Sequence, residues 1–305
     1  MGTKIRASAN RRRIREFFGV VLLASPLMVY GSFHFSRPAL TNTQSRLFQG
    51  VSYRHLVNQS FPRPVSIHIV EIKLKAPGIK IVVTPSPGKR SPHEIQARTT
   101  SEFLQEFNLQ LAINANFFYP FREKTPWDYY PKTVDGVNLV GLAISNKQIY
   151  SQSQPKFPAL CFSPENKAQI VDNGQCPSGT VEAIAGNQIL IDRGRPVTAF
   201  SSASFYNQPY PRTAVATNRS GDKLWLFVVD GKQPFYSEGV TIPELTQILL
   251  QPGIDRAVNL DGGGSTTLAV ATPTGSRLLN SPIQNKLPMQ ERPIGNHLGF
   301  RALRN

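Results

Sequence analysis

Short runs of apolar residues, bounded by Gly, Pro, Asn and Ser, recur along the chain from Val65 onward. Such runs predict β-strands, and two runs separated by a turn sequence predict a hairpin. The predicted strands are 65–74 and 79–84, with a turn at 76–78; 110–114; 213–217 and 223–229, with a turn at 218–222; 256–260; and 298–303. Further hairpins are predicted over 142–150 and 183–191.

Two segments have the spacing of helices. In the first, 100–108, Phe103, Leu104 and Phe107 lie on one helical face. In the second, 242–250, Pro243 occupies the first turn, where its missing N–H does no harm. Many strands and few helices predict an α+β fold of mostly antiparallel or mixed β-sheets, with a few helices packed over them.

The two helical segments are followed by similar sequences. Each leads through a short gap into an apolar strand that ends in polar residues, Asn114 and Asn116 in one case, Asn259 and Asp261 in the other. Strand ends are favoured ligand sites in α/β units. We hypothesise that the two units are pseudo-equivalent and deliver these four side chains to one cleft.

The region before the predicted strands divides into three segments. Residues 1–16 are basic, residues 17–35 are apolar, and residues 36–64 are polar and predict a linker to a single domain over 65–305. The apolar segment is either a cleaved signal peptide or an uncleaved transmembrane anchor, and a buried core helix is a third interpretation. The first two export the domain, so an extracytoplasmic location is expected, with a membrane contact if the segment is retained.

Composition narrows the possible partners. The chain of 305 residues has 22 Gly and 25 Pro, which suits a fold with many turns. Its formal net charge is +15, but six basic residues fall within the first fifteen positions. The remaining basic residues are dispersed and no nucleic-acid-binding motif is present, so nucleic acid is not predicted as a partner. A mildly basic domain is equally compatible with binding to anionic glycans, phosphate groups or lipid surfaces.

The two cysteines are Cys161 and Cys176. In an oxidising compartment a disulfide that closes this loop is the natural expectation, and two free thiols are the alternative. The five histidines never occur at the spacing of metal ligands, and no known metal-binding motif is present. We therefore predict no metal and no cofactor.

Several motifs could carry chemistry. Asp261 precedes three glycines and Ser265, a sequence in which the backbone can approach a ligand closely and carry an anion-binding set of N–H groups. Arg212, after a proline at the start of a strand, is either structural or a clamp for a phosphate. Asp230 ends an apolar strand, and Glu238 is nearby in sequence. Glycoside chemistry uses two carboxylates, and these two with Asp261 are the candidates.

Together, these motifs resemble the phosphodiester glycosidase family. The resemblance extends over 65–303 and rests on motifs that follow one another in the family's order. The family usually has Asn-Gly-Gly-Phe-Phe where this chain has Ala115 and Asn116 in place of the two glycines. The motifs are Ala112-Ile-Asn-Ala-Asn-Phe-Phe118, Pro211-Arg-Thr-Ala-Val215, Val228-Val-Asp-Gly-Lys232, Ser237-Glu-Gly-Val-Thr-Ile-Pro-Glu-Leu245, Asn259-Leu-Asp-Gly-Gly-Gly-Ser265 and Glu291-Arg-Pro293.

The resemblance implies an exported hydrolase that releases a sugar from a sugar-1-phosphodiester or a related glycan. Phosphate is a weakly basic leaving group, so little general-acid help is needed. In this scheme Asp261 is the first choice for the carboxylate near C1, and Asp230 or Glu238 is the second. The phosphate site is assigned to Arg212 and to the backbone of Gly262, Gly263, Gly264 and Ser265. Asn114 and Asn116 are assigned to the binding of sugar hydroxyls.

A non-catalytic protein that binds envelope glycans or exopolysaccharide is the alternative function, because a scaffold does not determine an activity. The replacement of the two family glycines by Ala115 and Asn116 favours it.

Overall fold

The computed structural model describes residues 28, 30–60, 62–86, 88, 93–198 and 206–305. In chain order, the first strands are β1 Thr43–Phe48, β2 Val51–Asn58, β3 Val65–Lys73, β4 Lys80–Val83, β5 Ile95–Gln96, β6 Leu111–Asn114, β7 Phe118–Tyr119, β8 Arg122–Glu123, β9 Tyr129–Tyr130, β10 Gly136–Leu139, β11 Ala143–Ser145 and β12 Gln148–Ser151. They are followed by β13 Ala159–Phe162, β14 Ala168–Val171, β15 Glu182–Ala185, β16 Gln188–Asp192, β17 Arg195–Pro196, β18 Arg212–Thr217, β19 Lys223–Val229, β20 Arg256–Asn259, β21 Leu268–Thr272, β22 Gly275–Leu278, β23 Ile283–Gln284, β24 Leu287–Pro288 and β25 His297–Arg301.

Three sheets carry most of these strands. The largest has eight strands in the order β1-β2-β3-β19-β18-β20-β16-β17. A second has the order β22-β21-β6-β25-β4, and a third has the order β12-β11-β15-β13-β14. Every pairing between the strands that the structure describes is antiparallel, which confirms the prediction of mostly antiparallel sheets.

The main core lies between the eight-stranded sheet and the other two large sheets. Side chains along strand β3 alternate between the two faces of the sheet. Val70 and Ile72 point into this core, whereas Ile69 points to the opposite face. Strand β19 is buried on both faces and has a continuous apolar run from Leu224 to Val229. Facing these strands across the core are Ile81, Val83, Leu111, Ile113, Leu160, Phe162, Ile184, Leu268, Leu298 and Phe300.

Two helices cover the outer faces: α1, Thr100–Glu106, and α2, Ile242–Ile248. Helix α1 packs on the second sheet, and α2 packs on the outer face of the largest sheet. Each begins at a threonine whose hydroxyl accepts the N–H of a glutamate three residues later, Glu102 after Thr99 and Glu244 after Thr241, while that glutamate accepts the threonine N–H. These reciprocal caps satisfy free N–H groups at both helix starts. The two predicted helices are confirmed, each slightly shorter than expected.

The predicted linker over 36–64 needs a correction. Strands β1 and β2 form a hairpin within it, and β2 pairs with β3 along its whole length. Val51, Tyr53 and His55 are buried at alternate positions while the residues between them are more exposed. This period of two is a strand signal that the polar composition of the region conceals.

The predicted hairpin over 183–191 also differs from the structure. Its two strands, β15 and β16, belong to different sheets, so the chain crosses between sheets at Gly186 and Asn187. A Cβ on Gly186 would lie 2.2 Å from the Asn259 carbonyl oxygen, so a glycine is needed at this crossing. The predicted hairpins over 142–150 and 213–229 are confirmed.

Cys161 and Cys176 form a disulfide, with their Cα atoms 5.7 Å apart. The bond ties β13 to the loop that follows β14, as expected for an oxidising compartment. Residues 1–16 and most of the apolar segment 17–35 lie outside the described residues. Within the described ranges, no helix combines the length and the apolar character that crossing a bilayer requires.

One buried carboxylate joins the third sheet to the edge strand of the second. Glu182 accepts the N–H groups of Val83 and Asn146, both at 3.0 Å. Burial raises the pKa of Glu182 from 4.5 to about 7, although those two hydrogen bonds oppose the shift. The folded protein therefore binds a proton here more tightly than the unfolded chain does.

We predict that this proton makes stability depend on pH. The stabilisation is present below pH 4.5 and is lost as pH rises through about 7, up to about 3 kcal/mol for a shift of this size. Glu182→Gln removes the titrating group, so its unfolding free energy should fall less over this range than that of the wild type. Glu238→Gln, at an exposed position, is the control. Identical pH slopes for Glu182→Gln and wild type in denaturant titrations would contradict the prediction.

Candidate active site

The ends of β6 and β20 meet, although the two strands belong to different sheets. The Asn114 amide donates to the Asp261 carbonyl at 2.6 Å, and the Asp261 N–H donates to the Ala115 carbonyl at 3.1 Å. The Asn114 side-chain oxygen accepts the Thr213 hydroxyl at 2.8 Å and the Thr267 N–H at 3.2 Å. Asn114 thus fastens the turn after β20 to Thr213 and Thr267. The two strand ends meet, but of the four side chains hypothesised to share one cleft only Asn259 and Asp261 line the pocket described below, whereas Asn114 and Asn116 are buried and do not line it.

Each of the three glycines after Asp261 meets a different neighbour. Gly263 has a φ of +65°, and a Cβ there would lie 2.6 Å from the Tyr210 ring. A Cβ on Gly262 would lie 2.7 Å from the Pro211 carbonyl oxygen, and one on Gly264 would lie 2.4 Å from the guanidinium of Arg292. The turn has glycines because three groups pack directly against its backbone.

A pocket of about 450 Å³ opens beside this turn. Four residues that the sequence singled out line it: Arg212, Asn259, Asp261 and Gly262. The other lining residues are Phe117, Phe118, Phe121, Asn187, Gln208, Tyr210, Leu260 and Arg292.

Asp261 is the acidic residue among those that line the pocket. Its Oδ1 accepts the Gly262 N–H at 2.9 Å, which fixes the carboxylate against the turn. Burial raises the pKa of Asp261 from 3.8 to about 6, while Ser265, Arg292 and the Gly262 N–H oppose the shift. A carboxyl group with a pKa near 6 can exchange a proton close to neutral pH, as an acid–base catalyst must.

Two guanidinium groups face the same pocket. Arg212 donates from Nε to the Val240 carbonyl at 3.1 Å and from Nη2 to the Gln208 carbonyl at 3.2 Å. Its guanidinium carbon lies 5.5 Å from the Tyr210 ring centre. Burial lowers the pKa of Arg212 from 12.5 to about 10, so the side chain stays cationic at neutral pH. Held by neutral carbonyl groups, it brings positive charge to the pocket wall.

Arg292, within the motif Glu291-Arg-Pro293, is the second cation, and the sequence alone indicated no role for it. Its Nε donates to Gln284 at 2.6 Å, and its Nη2 donates to Glu123 at 2.5 Å. The guanidinium carbon also lies 4.4 Å from the Phe121 ring centre. Burial lowers the pKa of Arg292, and the carboxylates of Glu123 and Asp261 oppose that shift. The position of Arg292 within a family motif is the sequence feature that could have identified it as a site residue.

Asn259 presents an unsatisfied acceptor. Its side chain is 3% exposed, and its amide nitrogen donates to the Asn187 side chain at 2.8 Å. Its Oδ1 has no hydrogen-bond partner within the described part of the chain. A buried acceptor without a partner is costly, and because this oxygen is closed off from solvent a ligand hydroxyl reaches it only if the pocket wall moves.

The structure places Asp230 outside this pocket. Its Oδ1 accepts the Asn280 amide and the Ser281 N–H, both at 2.9 Å, and its Oδ2 lies 3.0 Å from His68 Nε2. The Ser66 hydroxyl lies 3.2 Å from that same imidazole nitrogen. In a serine hydrolase the serine and the carboxylate meet opposite nitrogens of the histidine. This buried group is therefore not arranged as a catalytic triad.

The other residues predicted from the sequence lie behind or away from the pocket. Glu238 is exposed and does not line it. Gly263, Gly264 and Ser265 form a short 3₁₀ turn beneath Asp261 and are buried. The N–H groups of Gly262, Gly263 and Ser265 donate within the protein, to Asp261 Oδ1, the Pro211 carbonyl and the Gly262 carbonyl. These three N–H groups are therefore not available to an anion.

Asn116 is fully engaged in the interior. Its amide donates to the carbonyls of Val140 and Leu142, both at 3.1 Å, and its oxygen accepts the Ala185 N–H at 3.0 Å and the Asn296 amide at 2.9 Å. Two donors and two acceptor positions are all that an asparagine side chain has. Where family members usually have glycine, this chain has a polar bridge between loops and sheets.

No group of three or more residues able to hold a metal occurs within the described ranges. His68 lies in the buried network with Asp230. The positive charge at the pocket is that of Arg212 and Arg292.

We predict that Asn116→Ala destabilises the protein by about 3 kcal/mol, because it leaves several buried polar groups without partners. Asn58→Ala is the control, since Asn58 is exposed and accepts a single N–H, from Ser60; its effect should stay below about 0.5 kcal/mol. Unfolding in denaturant measures both. Equal, small effects of the two substitutions would contradict a bridging role for Asn116.

Comparisons with known proteins identify the family of the chain. A family model described as phosphodiester glycosidase matches residues 107–301. The N-acetylglucosamine-1-phosphodiester α-N-acetylglucosaminidases of Mus musculus and Homo sapiens are 33% and 32% identical to the chain over 102 residues. That segment is 32% of this chain and 19% of each relative, so the match spans about a fifth of the curated relatives.

Solved structures show the same fold. The zebrafish N-acetylglucosamine-1-phosphodiester α-N-acetylglucosaminidase catalytic domain, auto-inhibited by its pro-peptide, matches with a TM-score of 0.58 and 18% identity, over 90% of this chain and 92% of that one. A hypothetical protein from Synechocystis matches with a TM-score of 0.62 and 18% identity, over 87% of this chain and 64% of that one. At such identities the likeness concerns the fold alone. Because the family model covers well over half of its residues, the chain belongs to the phosphodiester glycosidase family.

Proposed function

We propose that the chain is an exported hydrolase that cleaves the glycosidic bond of a sugar-1-phosphodiester. Family membership supports a glycosidase-type function, and the pocket supports the choice of substrate. The observation that carries the proposal is the joint presence of one carboxylate, Asp261, and two guanidinium groups, Arg212 and Arg292, at a single pocket. The disulfide supports an extracytoplasmic location.

The two arginines bind the anionic phosphodiester in this scheme. As the bond between C1 and the phosphate oxygen breaks, negative charge grows on the leaving phosphate. Fixed cations aimed at that position stabilise the transition state more than the ground state. The phosphate leaves as a phosphomonoester with the electron pair of the broken bond and needs no proton from an acid, which fits a pocket with a single carboxylate among its lining residues.

Asp261 acts in its ionised form. Its negative charge stabilises the positive charge that develops at C1, and it accepts a proton from the water whose oxygen forms the new bond to C1. Asn259, Asn187 and Gln208 line the pocket and provide the polar contacts for the sugar. Neither Asp230 nor Glu238 is given a role in this proposal, since neither lines the pocket.

We predict that Asp261→Asn lowers kcat/KM on the order of 10³-fold, because it removes the proton acceptor. In the wild type, activity should rise with pH through about 6, since only ionised Asp261 is active. Asp255→Asn, just before the start of β20, is the matched control and should keep both rate and profile. Screening sugar-1-phosphodiesters for release of phosphomonoester provides the assay. Glycan binding without turnover would instead favour the non-catalytic alternative.

Arg212→Lys should reduce kcat/KM by about 10–100-fold on phosphodiesters and much less on neutral aryl glycosides of the same sugar. Lysine keeps the charge but loses the planar fork that fits two phosphate oxygens. The comparison of the two substrate classes separates a phosphate contact from a structural role. Equal losses on both would show that Arg212 only supports the fold.

A further inference from the structure

The pocket has two chemically different parts. Its polar lining comes from the region around β18 and β20, whereas the segment that follows β6 contributes three phenylalanines, Phe117, Phe118 and Phe121. Phe118 and Phe121 contact each other edge to face, with ring centres 6.2 Å apart. These side chains contain no hydrogen-bond donor or acceptor. The mechanism above uses only the polar part and leaves the phenylalanine wall without a ligand.

Directly after Phe121 the chain forms a short hairpin of β8 and β9, here called the Trp127 hairpin (residues 122–130). Trp127 lies at its tip and is 83% exposed, and Tyr119 and Phe121 before the hairpin are 51% and 47% exposed. Several exposed aromatic side chains within one short segment mark a binding surface more often than scattered ones do.

The Trp127 hairpin is held firmly against the site. The Thr125 hydroxyl accepts the N–H groups of Trp127 and Asp128, at 3.3 Å and 2.9 Å, and so closes the turn. Arg122 pairs with Asp128 at 2.8 Å across the hairpin. At its base, Glu123 binds Arg292, the cation beside Asp261, at 2.5 Å. The tryptophan is thus displayed by an ordered turn that is connected directly to the pocket.

We propose that the phenylalanine wall and the Trp127 hairpin form a subsite for an apolar leaving group. The proposal rests on the function proposed above and names its substrate class, a sugar-1-phosphate ester of a long-chain alcohol. The sugar lies against the polar lining, the phosphate lies between Arg212 and Arg292, and the hydrocarbon chain runs along Phe118 and Phe121 to Trp127.

A lipid fits this surface better than a second sugar does. A glycan leaving group would bring hydroxyl groups that need partners, and the three phenylalanines offer none. A hydrocarbon chain loses no hydrogen bonds on the same wall and gains from the removal of its surface from water. The subsite is also continuous with the phosphate contacts, as a single substrate with a charged and an apolar part requires.

The leaving-group product of such a substrate is an alkyl phosphate, so binding can be tested without knowing the sugar. The probes are decyl phosphate, below its critical micelle concentration, methyl phosphate and glucose 6-phosphate, each titrated into the full chain. Decyl phosphate should bind at least about tenfold more tightly than methyl phosphate, because the burial of two methylenes alone would give that difference. Glucose 6-phosphate should bind no better than methyl phosphate.

Fluorescence locates the bound chain. The protein has two tryptophans, Trp127 and Trp225, and Trp225 is only 4% exposed. A blue shift on addition of decyl phosphate, absent with methyl phosphate, therefore reports on Trp127. Trp127→Ala should abolish the shift and lower decyl phosphate affinity at least about fivefold, with methyl phosphate affinity unchanged. Phe235→Ala is the matched control, since Phe235 is 95% exposed and does not line the pocket.

Three outcomes would overturn the proposal. Equal affinities for the three phosphates would show that only the phosphate is recognised. Preference for glucose 6-phosphate, lost in Trp127→Ala, would assign the subsite to a glycan. Equal binding of decanol and decyl phosphate would show that the apolar surface acts apart from the phosphate site. If only the subsite proposal is wrong, the chain still hydrolyses sugar-1-phosphodiesters and still binds methyl phosphate. If the proposed function is wrong, the chain hydrolyses none of the sugar-1-phosphodiesters tested.

Discussion

The geometry of the site depends on the hydrogen bonds of one buried asparagine. Asn114 ends a strand of the second sheet, yet its side chain holds the backbone of Asp261, which follows a strand of the largest sheet. The same side chain accepts the Thr213 hydroxyl next to Arg212. The carboxylate and one of the two cations are therefore positioned relative to each other by a single polar group. Because this group is buried, an alternative arrangement would leave its donors and acceptors without partners.

Two of the polar sets in the interior differ in their access to the pocket. One set lines the pocket and combines Arg212 and Arg292 with Asp261, whose pKa is about 6. The other set, around Asp230 and His68, is enclosed by protein groups that satisfy both carboxylate oxygens. Both contain residues that suit catalysis, and only access to the pocket distinguishes them. An acidic residue at the end of an apolar strand is thus insufficient to indicate a catalytic role.

Local signals in the sequence predicted the parts of the structure that depend on neighbouring residues. The spacing of Phe103, Leu104 and Phe107 predicted helix α1, and Pro243 in the first turn fitted the predicted start of helix α2. Contacts between distant residues were not accessible in this way. Asp230 is hydrogen-bonded to Asn280 and Ser281, about fifty positions away, and no residue near Asp230 in sequence indicates these partners. The same limit applies at Gly186, where the sequence predicts a hairpin but the chain crosses between sheets. A turn sequence does not indicate which sheet the next strand joins.

The glycine turn after Asp261 has a consequence for how the site can vary. Its three positions look equivalent in the sequence, but Gly262 and Gly263 pack against the adjacent residues Pro211 and Tyr210, whereas Gly264 packs against the guanidinium of Arg292. Any side chain introduced there would displace a different neighbour, and with it a different portion of the pocket. The turn therefore couples two segments that are remote in sequence, Tyr210-Pro211 and Arg292, so a change in either of them is constrained by the backbone that both contact.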